Sequence, residues 1–281
     1  MNCKNCQDPL EKDAQFCDNC GAKVIKNRIT FKFLITDLFI NVFGIDSKFF
    51  LTLKKMAIQP NEVINEYLIG VRKRYVNPFA FLAIGAALSV IIYNFYADDF
   101  IAIQSSANSG QIEALKETAE IDISTIKDIS EKELKKLKSK KQSAKIQLEF
   151  MDKMMKFMLR YFNLLTFLFL LLYAILSKWT YRKPHNFGEH IVINAYIYGF
   201  TTYFSLVAFF FAMIIHPSIY TFSVLAYIVY YLFAFGKLYN LSIGKSVLKL
   251  FRFIIGFALF FIIVVILGAI ILIILKSTRL I

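Results

Sequence analysis

No cysteine follows Cys20, so no disulfide can form within the remainder of the 281-residue chain. Charge is also missing where length would demand it: from Ile191 to Gly236 there is no Lys, Arg, Asp or Glu, and a stretch that long cannot be a solvated surface. A Gly-rich phosphate loop, a Gly-x-Ser-x-Gly elbow, a His-Glu-x-x-His pair and a paired-carboxylate site are all missing. The signatures of nucleotide-using, serine-hydrolase and zinc-protease chemistry go with them. Ahead of the first apolar run, near Phe31, no small-residue cleavage pattern occurs, so the N-terminal segment is expected to be retained.

What the chain has in excess is apolar surface. Hydrophobic residues make up 57% of it and Phe alone accounts for 30 positions, above what a soluble core absorbs, so the surplus is expected to face lipid. The net charge of +13 flanks the apolar runs. Residues 1 to 27 are neutral, as is the segment 97 to 156 with its eleven Lys and eleven acidic residues. A nucleic-acid module would concentrate the charge on itself, so the distribution points to membrane orientation and anionic lipid, with no nucleic-acid partner.

A helix needs about 20 apolar residues to cross a bilayer. Pro78 to Tyr96 is one such run, with Asn77 placed to cap it and Pro78 at the first helical position. Tyr161 to Leu176 is a second, closed by Lys178 and Trp179. The charge-free 191–236 stretch is twice too long for one crossing, and His216-Pro217 divides it into Ile191 to Ile215 and Ser218 to Gly236. Phe253 to Leu275, closed by Lys276 and Arg279, is the fifth. The expected class is an all-α polytopic membrane protein in three parts: residues 1–27, an amphipathic interfacial segment 28–77, and a five-span domain 78–281 with a charged loop at 97–156.

Short basic flanks at Arg72 to Arg74, at Lys178 to Lys183 and at Lys237 to Arg252 fall on one side, which the positive-inside rule makes cytoplasmic. The N-terminus is then cytoplasmic and the C-terminus periplasmic. Within the loop, Phe150, Met151, Met154, Met155 and Met158 keep helical spacing directly into the second span. Before the first span, Asp46-Ser47 can cap a helix with Phe49, Phe50, Leu53, Met56 and Ala57 on one face and Thr52 off it. That helix, and the apolar stretch Phe31 to Phe43, either lie in the membrane interface or pack under the bundle.

Cys3-x-x-Cys6 and Cys17-x-x-Cys20-Gly21 form the most specific pattern. Each pair directs two thiolates at one ion, and two pairs complete a tetrahedral site with no open position, hence a structural Zn2+ site; iron in the same geometry is the alternative. Together with Phe50-Leu51-Thr52-Leu53, Pro60 to Tyr67, Tyr67-Leu68-x-Gly70-x-Arg72-Lys73-x-Tyr75-x-x-Pro78 and Glu189-His190, these motifs resemble a bacterial family of uncharacterised zinc-ribbon multi-pass membrane proteins. The resemblance implies architecture, a small N-terminal ribbon on a membrane bundle in the bacterial cytoplasmic (inner) membrane, and no activity. Gln7 stands where such ribbons often carry Gly. The layout is also similar to five-span proteins of the Yip family.

His185, Glu189 and His190 are the one titratable cluster near a span, with His185 and Glu189 on one helical face. Glu189 in a first turn is also ordinary helix-dipole chemistry. No Asp, Glu, Lys or Arg lies in a span interior, which disfavours ion-coupled transport. Asn194, Tyr198, Thr201, Thr202 and Ser205 recur near helical spacing and are expected to hold span three to its neighbours. The expected function is a non-enzymatic scaffold that presents the ribbon to a protein partner or self-associates. A lipid or small-molecule transporter, and an interfacial enzyme using His185, Glu189 and His190, are the alternatives.

Overall fold

Two knuckles of nearly identical backbone build the N-terminal unit. In the first, Cys3 N–H donates to Asp8 O (2.8 Å) and Gln7 N–H to Cys3 O (2.9 Å); in the second, Cys17 N–H donates to Ala22 O (2.8 Å) and Gly21 N–H to Cys17 O (2.8 Å). Both turns require a positive φ just after the second cysteine, 64° at Gln7 and 70° at Gly21. The computed structural model describes residues 2–22, 24, 47–106, 108–123 and 130–277, with no side chains for 269 and 271–277. The described residues fall into two compact units, one before and one after residue 44. The stretch Phe31 to Phe43, the Asp46 half of the expected cap, and Arg279 lie outside the described residues.

The second unit is all helical among the described residues: α1 Ser47–Ile58, α2 Pro60–Leu68, α3 Pro78–Phe95, α4 Ala97–Ser106, α5 Ser109–Glu120, α6 Glu131–Arg160, α7 Phe162–Tyr181, α8 Phe187–Ile214, α9 Ser218–Leu238 and α10 Ile243–Ser277. Five of these, α3 and α7 to α10, are long and apolar enough to cross a membrane. Asn77 caps α3 as expected, its side chain accepting from Phe79 N and Ala80 N, with Pro78 opening the helix. The hairpin between α8 and α9 falls at Ile215 to Pro217.

The closest helix crossing is α3 on α8. A Cβ on Gly199 would stand 2.9 Å from Phe81 Cδ1 and 3.2 Å from Leu82 Cα, and one on Gly85 would stand 3.2 Å from Tyr203 Cζ. Lipid supplies no hydrophobic drive between spans, so association depends on such close backbone approach and on buried hydrogen bonds. Around this crossing α1 and α2 pack into the same core as the spans. Phe49 meets Phe81 and Tyr203 at ring-centroid distances of 5.8 and 5.4 Å, and Tyr67 meets Tyr196 at 5.5 Å. Tyr230 OH donates to Met56 O (2.8 Å) and Lys237 Nζ to Ile58 O (3.0 Å), satisfying carbonyls at the end of α1.

The inward face of α1 differs from the expected one. Thr52 is fully buried, accepting from Val76 N (3.1 Å) and donating to Lys48 O (2.7 Å), whereas Phe50 is 61% exposed. The hydroxyl is needed because the Val76 peptide is itself buried just before span one; its carbonyl is satisfied by Tyr196 OH at 2.7 Å. The expected continuous helix through Met158 into span two is also interrupted. Tyr161, with φ −108° and ψ 17°, ends α6 and precedes α7.

Three spans extend beyond their apolar runs. Helix α7 continues to Tyr181 and carries Lys178, whose ammonium donates to the carbonyls of Arg182 and His185, closing that helix end. Helix α8 starts four residues before Ile191, on a capping box in which Glu189 N–H donates to Asn186 Oδ1 (3.0 Å) and Asn186 N–H to Glu189 Oε2 (2.6 Å). Helix α10 starts ten residues before Phe253 and runs for 35 residues. It seats on α7 through Gly256, where a Cβ would stand 2.9 Å from the Trp179 ring; beyond that point its described side chains are almost all exposed.

Candidate functional site

The four cysteines come together. Cys3 Sγ lies 3.7 Å from Cys20 Sγ and Cys6 Sγ 3.6 Å from Cys17 Sγ, and all four sulfurs lie within 4.8 Å of one another. A tetrahedron of thiolates about 2.3 Å from a central ion has edges of about 3.8 Å, so the donor set and spacing fit one ion. Cys3 and Cys17 are buried, Cys6 and Cys20 exposed. The Ala22 N–H, and then Asn5 Nδ2 at 3.6 Å, lower the proton affinity of the Cys20 thiol, while in the same packed cluster those of Cys6 and Cys17 are raised.

The second constellation lies in the membrane unit, where the ends of α7, α8 and α9 meet. His190, on the first turns of α8, is fully buried. Its Nδ1 lies 2.9 Å from Ser177 Oγ on α7 and its Nε2 3.4 Å from Tyr239 OH just after α9. Tyr239 OH is also 3.0 Å from His185 Nδ1. Asn194, one helical turn after His190, donates from Nδ2 to Ser177 Oγ and to His190 O, both at 2.7 Å. Ser177 Oγ donates to Ala174 O at 3.1 Å. Each hydroxyl has one proton, so the contacts form one relay, His185–Tyr239–His190–Ser177, whose direction is set by the tautomer of His190.

Of the three titratable residues singled out in the sequence, the structure joins His185 and His190, through Tyr239. Glu189 closes the α8 capping box and borders a shallow depression shared with Arg72 and Tyr67. Sequence reasoning missed Tyr239 and Ser177, which come from distant positions and carry no local signature. Asn194 does bind span three to span two, as expected of it. Burial, opposed by Glu189 and reinforced by Lys178, pushes His185 below its ordinary range.

A cavity of about 100 Å³ between α7, α8, α9 and α10 is bordered by Tyr173, Ile197, Tyr227, Tyr231 and Phe253 among others. It has no charged residue in its lining and is smaller than the roughly 300–1,000 Å³ of typical small-molecule sites.

Residues 46–90, from α1 to the middle of span one, match the model of a family described as Protein of unknown function (DUF3667). No curated protein and no solved structure matches the chain. The match covers the α1–α2 layer and its junction with span one, and leaves the four-cysteine unit and the histidine network outside it.

Proposed function

We propose that the chain is a non-enzymatic scaffold of the bacterial cytoplasmic membrane, in which Cys3, Cys6, Cys17 and Cys20 hold a structural Zn2+ and the resulting ribbon recruits a protein partner or a second copy. The observation that carries this reading is the convergence of four thiols within 4.8 Å in a unit with few large apolar residues. Such a unit cannot bury enough surface to offset its chain entropy, and four metal–thiolate bonds supply the missing folding free energy. The basic flanks favour a cytosolic ribbon, where thiols stay reduced. The scaffold reading over an enzyme is supported by His190, which is buried with both ring nitrogens engaged, by Ser177 and Tyr239.

The deciding experiment is metal analysis of the purified full chain beside a Cys17→Ser/Cys20→Ser variant. About one zinc per chain is expected, lost in the variant together with protease resistance of the N-terminal unit and partner capture, while the spans remain inserted. Iron in place of zinc, no metal, or unchanged capture by the variant would overturn the proposal.

A further inference from the structure

Helix α6 carries an apolar face that is exposed among the described residues. Projected at 100° per residue, its C-terminal half has three sectors. Ala144, Leu148, Met151, Met155 and Leu159 are buried or half-buried and form the inward side. Lys145, Glu149, Asp152, Lys153, Lys156 and Arg160 are exposed and form a charged sector. Between them Ile146, Phe150, Met154, Phe157 and Met158 form an apolar stripe; Phe150 is 65% and Phe157 52% exposed. Two apolar faces on one helix imply two partners, and the described residues supply one of them.

The position of the stripe decides the second. Arg160 ends α6 and Phe162 begins span two, so the stripe reaches the bilayer boundary through a single residue, Tyr161. Beside it lies a groove bordered by Val90 and Asn94 from the last turns of span one and by Lys156, Leu159 and Arg160 from α6. Its span side is formed by Val90 and the Asn94 amide, and its α6 side by Leu159 flanked by the two cations Lys156 and Arg160. The Arg160 guanidinium sits over the Tyr161 ring at 5.5 Å and has no carboxylate partner among the described residues. Lys156 pairs with Asp152 at 2.8 Å in an exposed i,i+4 bridge, which contributes little and is easily exchanged for a stronger anion. A cation pair and an amide beside the apolar side chains of Val90 and Leu159, where two spans enter the membrane, match a phospholipid: phosphate on the polar groups, acyl chain along the apolar ones.

We propose that this groove binds an anionic phospholipid headgroup through Lys156 and Arg160, and that the Ile146 to Met158 stripe of α6 lies in the bilayer interface. A soluble protein partner would have to displace the headgroups next to Arg160 to reach the stripe, whereas a lipid is already there. The inference is independent of the ribbon and its metal.

The full chain in nanodiscs of equimolar phosphatidylglycerol and phosphatidylcholine is released and its bound lipids are read by native mass spectrometry. Wild type is expected to retain phosphatidylglycerol preferentially. Lys156→Gln/Arg160→Gln is expected to lose that preference by roughly thirtyfold, about fivefold for each cation removed at a bilayer surface. Lys156→Arg/Arg160→Lys, which keeps both charges, is expected to retain it, and inorganic phosphate is expected not to displace the lipid. In parallel, a photoreactive benzophenone residue at Phe150 or Phe157 should crosslink to lipid, and one at Lys145 should not. Equal phosphatidylglycerol retention in the Gln variant, displacement by phosphate alone, or crosslinks from Phe157 only to protein would each overturn the proposal.

Discussion

Ser177 and His190, on adjacent spans, meet at 2.9 Å with both side chains fully buried. The serine also accepts from Asn194, so one hydroxyl is bonded to two side chains of span three. Ser177→Ala leaves both without that partner in a low-dielectric setting. A loss of about 2–6 kcal/mol is expected, at about 1–3 kcal/mol for each unsatisfied buried group. Thermal unfolding in detergent measures it; a variant within about 0.5 kcal/mol of wild type would show that the network is not closed.

His185 sets the acid limit of this region. Its neighbours are Lys178, which lowers its proton affinity, Glu189, which raises it, and the hydrogen-bonded Tyr239, with His190 beyond. With burial dominant the folded value lies below the ordinary 6.5, so the unfolded chain binds the proton more readily. The stability His185 contributes is therefore complete above about pH 6.5 and declines as pH falls below it. Melting temperature against pH should show this decline, and His185→Gln should flatten it while leaving membrane insertion intact.

Gly199 tests the crossing of spans one and three. A methyl group there would press on Phe81 and on the Leu82 backbone, and neither can yield, since Phe81 is buried and the other contact is main chain. Gly199→Ala is expected to cost about 1–3 kcal/mol through overpacking. Gly110→Ala, at a position with nothing within 4 Å, is the control and should be neutral or mildly stabilising.

The two knuckles predict opposite effects for opposite substitutions. Gly21 has open space around its Cβ position and a φ of 70°, so Gly21→Ala carries only the backbone penalty. The left-handed conformation costs about 1–2 kcal/mol for a side-chain-bearing residue, reduced by about 0.4–1 kcal/mol through the stiffer unfolded chain. Zinc affinity should fall by a few-fold in a chelator competition. Gln7→Gly removes the same strain at the first knuckle and should raise affinity by a smaller factor.

Hydropathy located all five spans because a bilayer sets a length that apolar runs must match, and Pro217 and Asn77 punctuated them as their backbone chemistry requires. What it misplaced were helix ends. Asn186-x-x-Glu189 is a readable capping box, yet a search for charge-free residues stops at Ile191, since a helix may continue past the hydrocarbon edge that hydropathy detects. The inward face of α1 was legible only in part. Thr52 faces inward to serve the Val76 peptide, and no local pattern announces a partner 24 residues away. Ser177 and Tyr239 were hidden for the same reason. The four cysteines were fully legible, since Cys-x-x-Cys spacing encodes its own geometry.

The 35 residues of α10 extend about 52 Å, against roughly 30 Å of hydrocarbon. Lys245, Lys249 and Arg252 occupy its first turns, where Lys249 donates to Thr180 O at 2.8 Å and Arg252 covers the Trp179 ring at 4.5 Å. One end is thus pinned to span two, and past Gly256 the described side chains are almost all exposed. A helix held at one end accommodates a thicker or thinner bilayer by swinging about its anchor, at a cost of fractions of a kcal/mol per ångström. Hydrophobic mismatch would then be absorbed by the fifth span, leaving the Gly85–Gly199 crossing and the histidine network undisturbed.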